Sequence, residues 1–160
     1  MKYLFLICLC SFVFAQNRAK LDIETKKTVI EALKANESLH QSFFKYNGEN
    51  IDKNTKLVIS KIELIKDKKI SKKLKLAKTY LKAISKAKTQ KDNYGFYSRF
   101  SELITSVVKS YDLGKEYNVY YCSMLKMSWV QNAVKLKKVH NPYASYMPHC
   151  GEHRTRYDEN

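Results

Sequence analysis

Glycine and proline are scarce in this 160-residue chain: four glycines, dispersed at 48, 95, 114 and 151, and two prolines, at 142 and 148. Glycines so far apart exclude a phosphate-cradling loop, which needs several within one turn. Arginine is scarce as well. The 30 basic residues include only Arg18, Arg99, Arg154 and Arg156, against 15 acidic ones. Proteins that read phosphates or base edges lean on the planar arginine fork, so a lysine-dominated net charge of +15 does not point to nucleic acid. The carboxylates are scattered, with no pair spaced for general acid–base work, and no enzymatic activity is expected.

Apolar runs are confined to one place. "MKYLFLICLCSFVFA" carries Lys2, an apolar stretch from Tyr3 to Phe14, and small residues at Val13 and Ala15. This is the pattern of a secretory signal peptide over 1–15, too short for a comfortable membrane span, with cleavage expected after Ala15. Ile7 and Leu9 precede Cys8 and Cys10, where a lipoprotein signal wants a small residue. The expected product is periplasmic or secreted and does not span the membrane. Outside the cytoplasm the polyanions within reach are lipid headgroups and envelope polymers, so an anionic envelope surface is one candidate partner. Of four cysteines, Cys122 and Cys150 then remain, and in an oxidising compartment an even pair reads first as a disulfide.

From about 21 to 113 the apolar residues recur at helical spacing. In "DNYGFYSRFSELITSVVKSYDLG", Phe96, Phe100, Leu103, Ile104, Val107, Val108 and Tyr111 form one face, with Asp92 expected to cap the start and Gly114 to end the helix. Upstream, Leu74, Ala77, Leu81 and Ile84 share a face behind a Ser71 cap, while Lys75, Lys78, Lys82 and Lys86 read as a solvated side. Two further helices are expected over roughly 22–46 and 52–66, separated by the turn signal "NGEN". Short connections favour antiparallel neighbours. The expected fold is therefore all-α: an up-and-down four-helix bundle over 16–113. After Gly114 the period changes. Tyr117, Val119 and Tyr121 alternate as in a strand, so 114–151 is expected to be an extended tail packed across the bundle. "SWVQNAVKLKKV" is expected to add a short helix, and 152–160 to fray.

The tail also concentrates the unusual chemistry. "YYCSMLKMSW" (120–129) and "HNPYASYMPHCGEH" (140–153) together hold both of those cysteines, Met124, Met127, Met147, Trp129, both prolines and three of the four histidines. Soft monovalent ions such as copper(I) and silver(I) prefer thiolate and thioether, with imidazole as helper. Cys122, Met124, Met147, Cys150 and His149 are therefore candidate metal ligands. The alternative makes Cys122 and Cys150 a disulfide and leaves Met124, Trp129, Tyr143 and Met147 as packing residues, with Asn141-Pro142 starting a turn and Gly151 relieving the backbone. The two readings can alternate, because thiolates bind soft metal and disulfides scarcely do.

Arg99-Phe100, the tyrosine-rich segment, Cys122 with Met124, Trp129, Asn141-Pro142-Tyr143 and Met147 with Cys150-Gly151 form a series of motifs. That series resembles a periplasmic domain of unknown function found alone or fused to the C-terminus of CusB-like heavy-metal efflux adaptor proteins. Ser123 stands where that domain has proline, and the loop from Tyr143 to Met147 is a residue shorter. The resemblance implies a helical periplasmic domain acting beside heavy-metal efflux, with an efflux adaptor as a partner. Fold likeness alone does not establish a site.

Overall fold

The computed structural model describes residues 18–159. The expected signal peptide, with Cys8 and Cys10, lies outside the described residues. Polar side chains set where the helices begin. The Asp22 carboxylate accepts the Thr25 amide at 2.8 Å and starts α1 (Ile23–Phe44); Asn47 accepts from Asn50 at 2.9 Å and starts α2 (Gly48–Glu63). Asp67 accepts from Ile70 at 2.8 Å before α3 (Lys68–Ala83), and Thr89 from Asp92 at 3.1 Å before α4 (Gln90–Ser110). Each cap satisfies an amide that a helix's first turn leaves without a partner. Ser71 and Asp92, expected as caps, lie inside their helices, and Asp92 accepts the Thr89 hydroxyl at 2.7 Å. The apolar stripe locates a helix's face and leaves its first turn unmarked. Gly114 does adopt a left-handed φ of 90°, but α4 closes earlier, at Tyr111.

Successive helices pack in order, α1 on α2, α2 on α3 and α3 on α4. The circuit closes where Phe43 of α1 stacks on Tyr97 of α4 with ring centroids 4.2 Å apart, and the Tyr97 hydroxyl donates to Asn36 Oδ1 at 3.3 Å. Leu33, Leu39, Phe43, Leu74, Leu81 and Phe100 are fully buried. Each such side chain contributes about 1.5–3 kcal/mol of hydrophobic stabilisation. No helix among the described residues is long and apolar enough to cross a membrane.

The fold is mixed α and β, which corrects the expectation of an all-α helical bundle. β1 (Tyr117–Cys122) pairs antiparallel with β2 (Met127–Asn132) on one edge and with β3 (Glu152–His153) on the other. The stretch expected to form a short helix, 128–139, is thus strand as far as Asn132 and turn or irregular chain beyond it. Six residue pairs, from Tyr117↔Asn132 to Cys122↔Met127, fix the register, and the connection turns at Lys126 with φ 56°. Val130 and Trp129 are good strand residues, and cross-strand pairing with Val119 and Tyr120 decides the conformation.

Within the segment expected to fray, residues 155–158 are tied down. Buried Asn118 accepts from the Thr155 hydroxyl at 2.9 Å and the Tyr157 amide at 2.8 Å, and its own amide group donates to Asp158. The Arg18 guanidinium lies 3.6 Å over the Tyr157 ring and donates to the Gly114 carbonyl at 3.1 Å. Both ends of the described chain therefore meet beside the end of α4.

Candidate functional site

Cys122 is the last residue of β1 and is fully buried; Cys150 ends the loop that follows β2 and is half-buried. Two amide side chains bring them together. Gln131 of β2 donates to the carbonyls of Leu136 at 3.0 Å and Lys138 at 2.8 Å and accepts the His140 amide at 2.9 Å, which turns the chain back over the sheet. Asn141 then closes the next loop. Its Oδ1 accepts the Tyr143 amide at 2.9 Å, its Nδ2 donates to the Cys150 carbonyl at 2.8 Å, and its backbone amide donates to Pro148 O at 2.8 Å. The expected turn at Asn141-Pro142 is present, held by an amide that bonds its own backbone two residues on. The Cys150 amide donates to Met147 O at 3.0 Å, so the last turn before the thiol is tight.

Trp129, Tyr143 and Gly151 floor this loop. Trp129 and Tyr143 meet edge to face at 6.2 Å, and the Tyr143 hydroxyl donates to Ser128 O at 3.2 Å. Gly151 has φ 154°, and a Cβ added there would sit 2.6 Å from the Trp129 ring. Only glycine lets the backbone run this close to the indole.

The outcome is a contact between sulfurs: Cys122 Sγ lies 3.2 Å from Cys150 Sγ. Both are free thiols in this structure. Burial pushes the Cys122 thiol up, but the Cys150 hydrogen bond, the amides of Leu125 and Met124, and the Asn141 side chain outweigh it and hold the group below its ordinary value. The Cys150 thiol is pushed up, first by its bond to Cys122 and then by burial. Either thiol can donate to the other, and when the pair loses one proton these opposite shifts favour the charge on Cys122.

Of the five candidate metal ligands, the fold brings together the two cysteines. Met124 sits on the β1–β2 turn with 67% of its surface exposed. His149 is exposed, with Nδ1 2.6 Å from the Val139 carbonyl, and its ring centroid is 6.1 Å from that of His140. Met147 is half-buried and contributes backbone bonds to the turn. Among the described residues no group of three His, Cys, Asp or Glu side chains is arranged to hold a metal ion. Met127, a reserve ligand on the sequence reading, is placed closer to the thiols than its rank suggested. It is the cross-strand partner of Cys122 and so lies on the same sheet face. Its signal was the four-residue separation between two strand ends, legible once 127–132 is known to be a strand.

Two further polar groups are partly or wholly withdrawn from solvent. Glu37 of α1 accepts from the Tyr117 hydroxyl at 2.5 Å, the Asn132 amide group at 3.0 Å and the Lys135 ammonium at 2.8 Å. Burial raises its carboxyl, but these three donors outweigh that and hold it below the usual carboxylate range. It borders a cleft of about 790 Å³ lined by polar side chains, Gln41, Lys45, Asn50 and Lys53 among them, and by neither thiol. His40 is only 3% exposed, and neither ring nitrogen has a hydrogen-bond partner among the described residues. Desolvation, aided by His140, lowers it to about 3.

Compared with family models, curated proteins and solved structures, the chain matches none.

Proposed function

We propose that this chain is an exported, non-enzymatic interaction module whose C-terminal loop is locked onto its sheet by reversible bonding of Cys122 to Cys150. The observation that carries the reading is the 3.2 Å contact between the two sulfurs, made by residues 28 positions apart. Lys2, the apolar run after it and Ala15 support export. Closing the bridge removes two protons and two electrons from the thiols. A disulfide-bearing partner takes them by exchange, through a mixed disulfide that the second thiolate resolves. The low-lying Cys122 thiol supplies the thiolate such exchange needs. The test is mass spectrometry of protein taken from the producing envelope and alkylated before and after reduction. Two alkyl groups gained only after reduction uphold the proposal; two gained without reductant reject it.

A second reading has one observation in its favour. The amides of Met124 and Leu125 and the Asn141 side chain stabilise negative charge on Cys122, which a permanent bridge does not require and a soft-metal ligand does. In this reading the reduced pair holds copper(I) or silver(I) through two sulfurs, and the module passes it to an efflux adaptor. Reduced protein that fails to withdraw copper(I) from a chromogenic chelator, or that withdraws it equally well as Cys150→Ser, rejects this reading and leaves the first intact.

A further inference from the structure

The sequence alone reads the lysines of α3 as a solvated face, because helical lysine runs usually are. Two structural facts change that. First, α3 holds seven lysines and no carboxylate over its sixteen residues. Elsewhere ammonium groups find partners: Lys34 with Glu31 at 2.9 Å, Lys56 with Asp52 at 2.8 Å and Lys86 with Glu49 at 2.9 Å. Among the described residues the one ion pair on α3 is Lys78 with Glu63 at 3.2 Å, on the side toward α2, and Lys73 donates to Ser106 at 2.7 Å on the side toward α4. Between those flanks, opposite buried Ile70, Leu74, Ala77 and Leu81, the exposed residues Lys68, Lys72, Lys75, Thr79 and Lys82 form one stripe. At 1.5 Å per residue it runs for about 20 Å. Second, the start of this stripe is concave. Lys66, Lys68, Ser71, Lys72, Lys75 and Lys78 line a shallow tray of about 460 Å³. Five ammonium groups around one depression repel one another, and an anionic surface relieves that repulsion.

Apolar side chains decide which anion. Leu76, four residues after Lys72 and 50% exposed, stands at the edge of the stripe. Leu64, two residues before Lys66, is 56% exposed. Exposed leucines beside lysines suit the boundary between headgroups and acyl chains, where the lysine stems lie along apolar surface and the ammoniums reach phosphate. A nucleic-acid surface would favour arginine forks and stacking aromatics, and the stripe has neither. We infer that the outward face of α3 is a membrane-surface contact that takes anionic phospholipid headgroups. This goes beyond the thiol pair and does not depend on it.

The experiment is co-sedimentation of the purified full chain with vesicles of phosphatidylcholine containing a quarter phosphatidylglycerol, and with phosphatidylcholine alone. Binding is expected to the anionic vesicles only, weakening at least about 10-fold between about 50 and about 300 mM salt. Lys68→Glu/Lys72→Glu/Lys75→Glu is expected to weaken it about 100-fold, and Leu76→Ser about 3-fold. Lys27→Glu/Lys91→Glu/Lys109→Glu makes the same change in net charge on α1 and α4, at exposed sites, and is expected to cost less than about 5-fold. Thermal melts of each variant confirm that the fold is intact. The inference is overturned by absence of binding to the anionic vesicles, by equal loss in the two triple variants, or by tighter binding to soluble polyphosphate than to vesicles.

Discussion

Oxidising Cys122 and Cys150 ties together residues 28 positions apart that already touch. In the chain-entropy model a loop of this length restricts the unfolded ensemble by about 3–4 kcal/mol. The native state has little to give up. The sulfurs need approach by only about 1 Å to reach bonding distance, in a loop whose backbone is already fixed by Asn141 and Gln131. Nearly all of the entropic gain is therefore expected to be realised. For a domain of this size each kcal/mol moves the melting temperature by about 2–4 °C, so oxidised protein is expected to melt about 10 °C above reduced protein. The comparison is a pair of thermal melts followed by circular dichroism, one after treatment with oxidised glutathione and one in excess reductant, with free thiols counted in each. Cys150→Ser separates the bond from the packing. Under reductant it is expected to cost less than about 1 kcal/mol, because Cys150 is half-buried, whereas Cys122→Ser places a hydroxyl in a fully buried site and costs about 1–3 kcal/mol. Both variants lose the dependence on oxidant. Oxidised and reduced wild-type chains melting within about 2 °C of each other, with the bond shown to have formed, would refute the reasoning.

Three further outcomes are expected. Gly151→Ala forces a Cβ to within 2.6 Å of the Trp129 ring and 3.2 Å of Val139 at φ 154°, and is expected to cost about 2–3 kcal/mol in urea unfolding, with a shift in tryptophan emission. His40 stays neutral in the fold down to about 3 but charges near 6.5 when unfolded, so its contribution is complete above pH 6.5 and drains away as pH falls toward 3. Between pH 7 and 4.5, before most carboxylates titrate, the loss is expected to be about 2–3 kcal/mol and to vanish in His40→Leu; an unchanged pH profile in that variant removes His40 as the cause. Glu37→Ala is expected to cost about 2–4 kcal/mol and Glu37→Gln about half that, since the amide keeps an acceptor for buried Asn132 and for Tyr117; equal melting temperatures for the two would show the carboxylate's bonds to be idle.

What the sequence disclosed divides along physical lines. All four helices were readable because each turns one apolar stripe inward and leaves the rest polar, as Ile70, Leu74, Ala77 and Leu81 do on α3. The sheet was half readable. β1 has aromatic and branched residues that mark a strand, but β2 buries four consecutive residues, Trp129 to Asn132, and so shows no alternation. Asn132 and Ala133 after Val130 are as compatible with a helix as with a strand end, and only pairing with β1 decides. The thiol pair was legible as chemistry, since two cysteines expected in an oxidising compartment have few alternatives. Convergence of Met124 and His149 was not legible, because clustering along the chain says nothing about which side of a turn each residue occupies. Glu37 left no trace at all: its partners are 80, 95 and 98 residues away.

The tail's order does not depend on the sulfurs. Asn118, Gln131, Asn132 and Asn141 are all buried, and each uses its side-chain amide to hold another part of the chain. Asn118 fixes 155–158, Gln131 fixes 136–140, Asn141 fixes 143–150, and Asn132 joins β2 to Glu37 on α1. A buried amide left unbonded costs about 1–3 kcal/mol, so these four positions punish any other path of the tail across the sheet. They place Cys150 against Cys122 whether or not a bond follows. The thiol contact is therefore a product of the fold, and oxidation secures a geometry that the amides have already selected. A chain in which Asn141→Ala still brought the two sulfurs together, measured as an unchanged rate of bridge formation in oxidised glutathione, would show that this selection lies elsewhere.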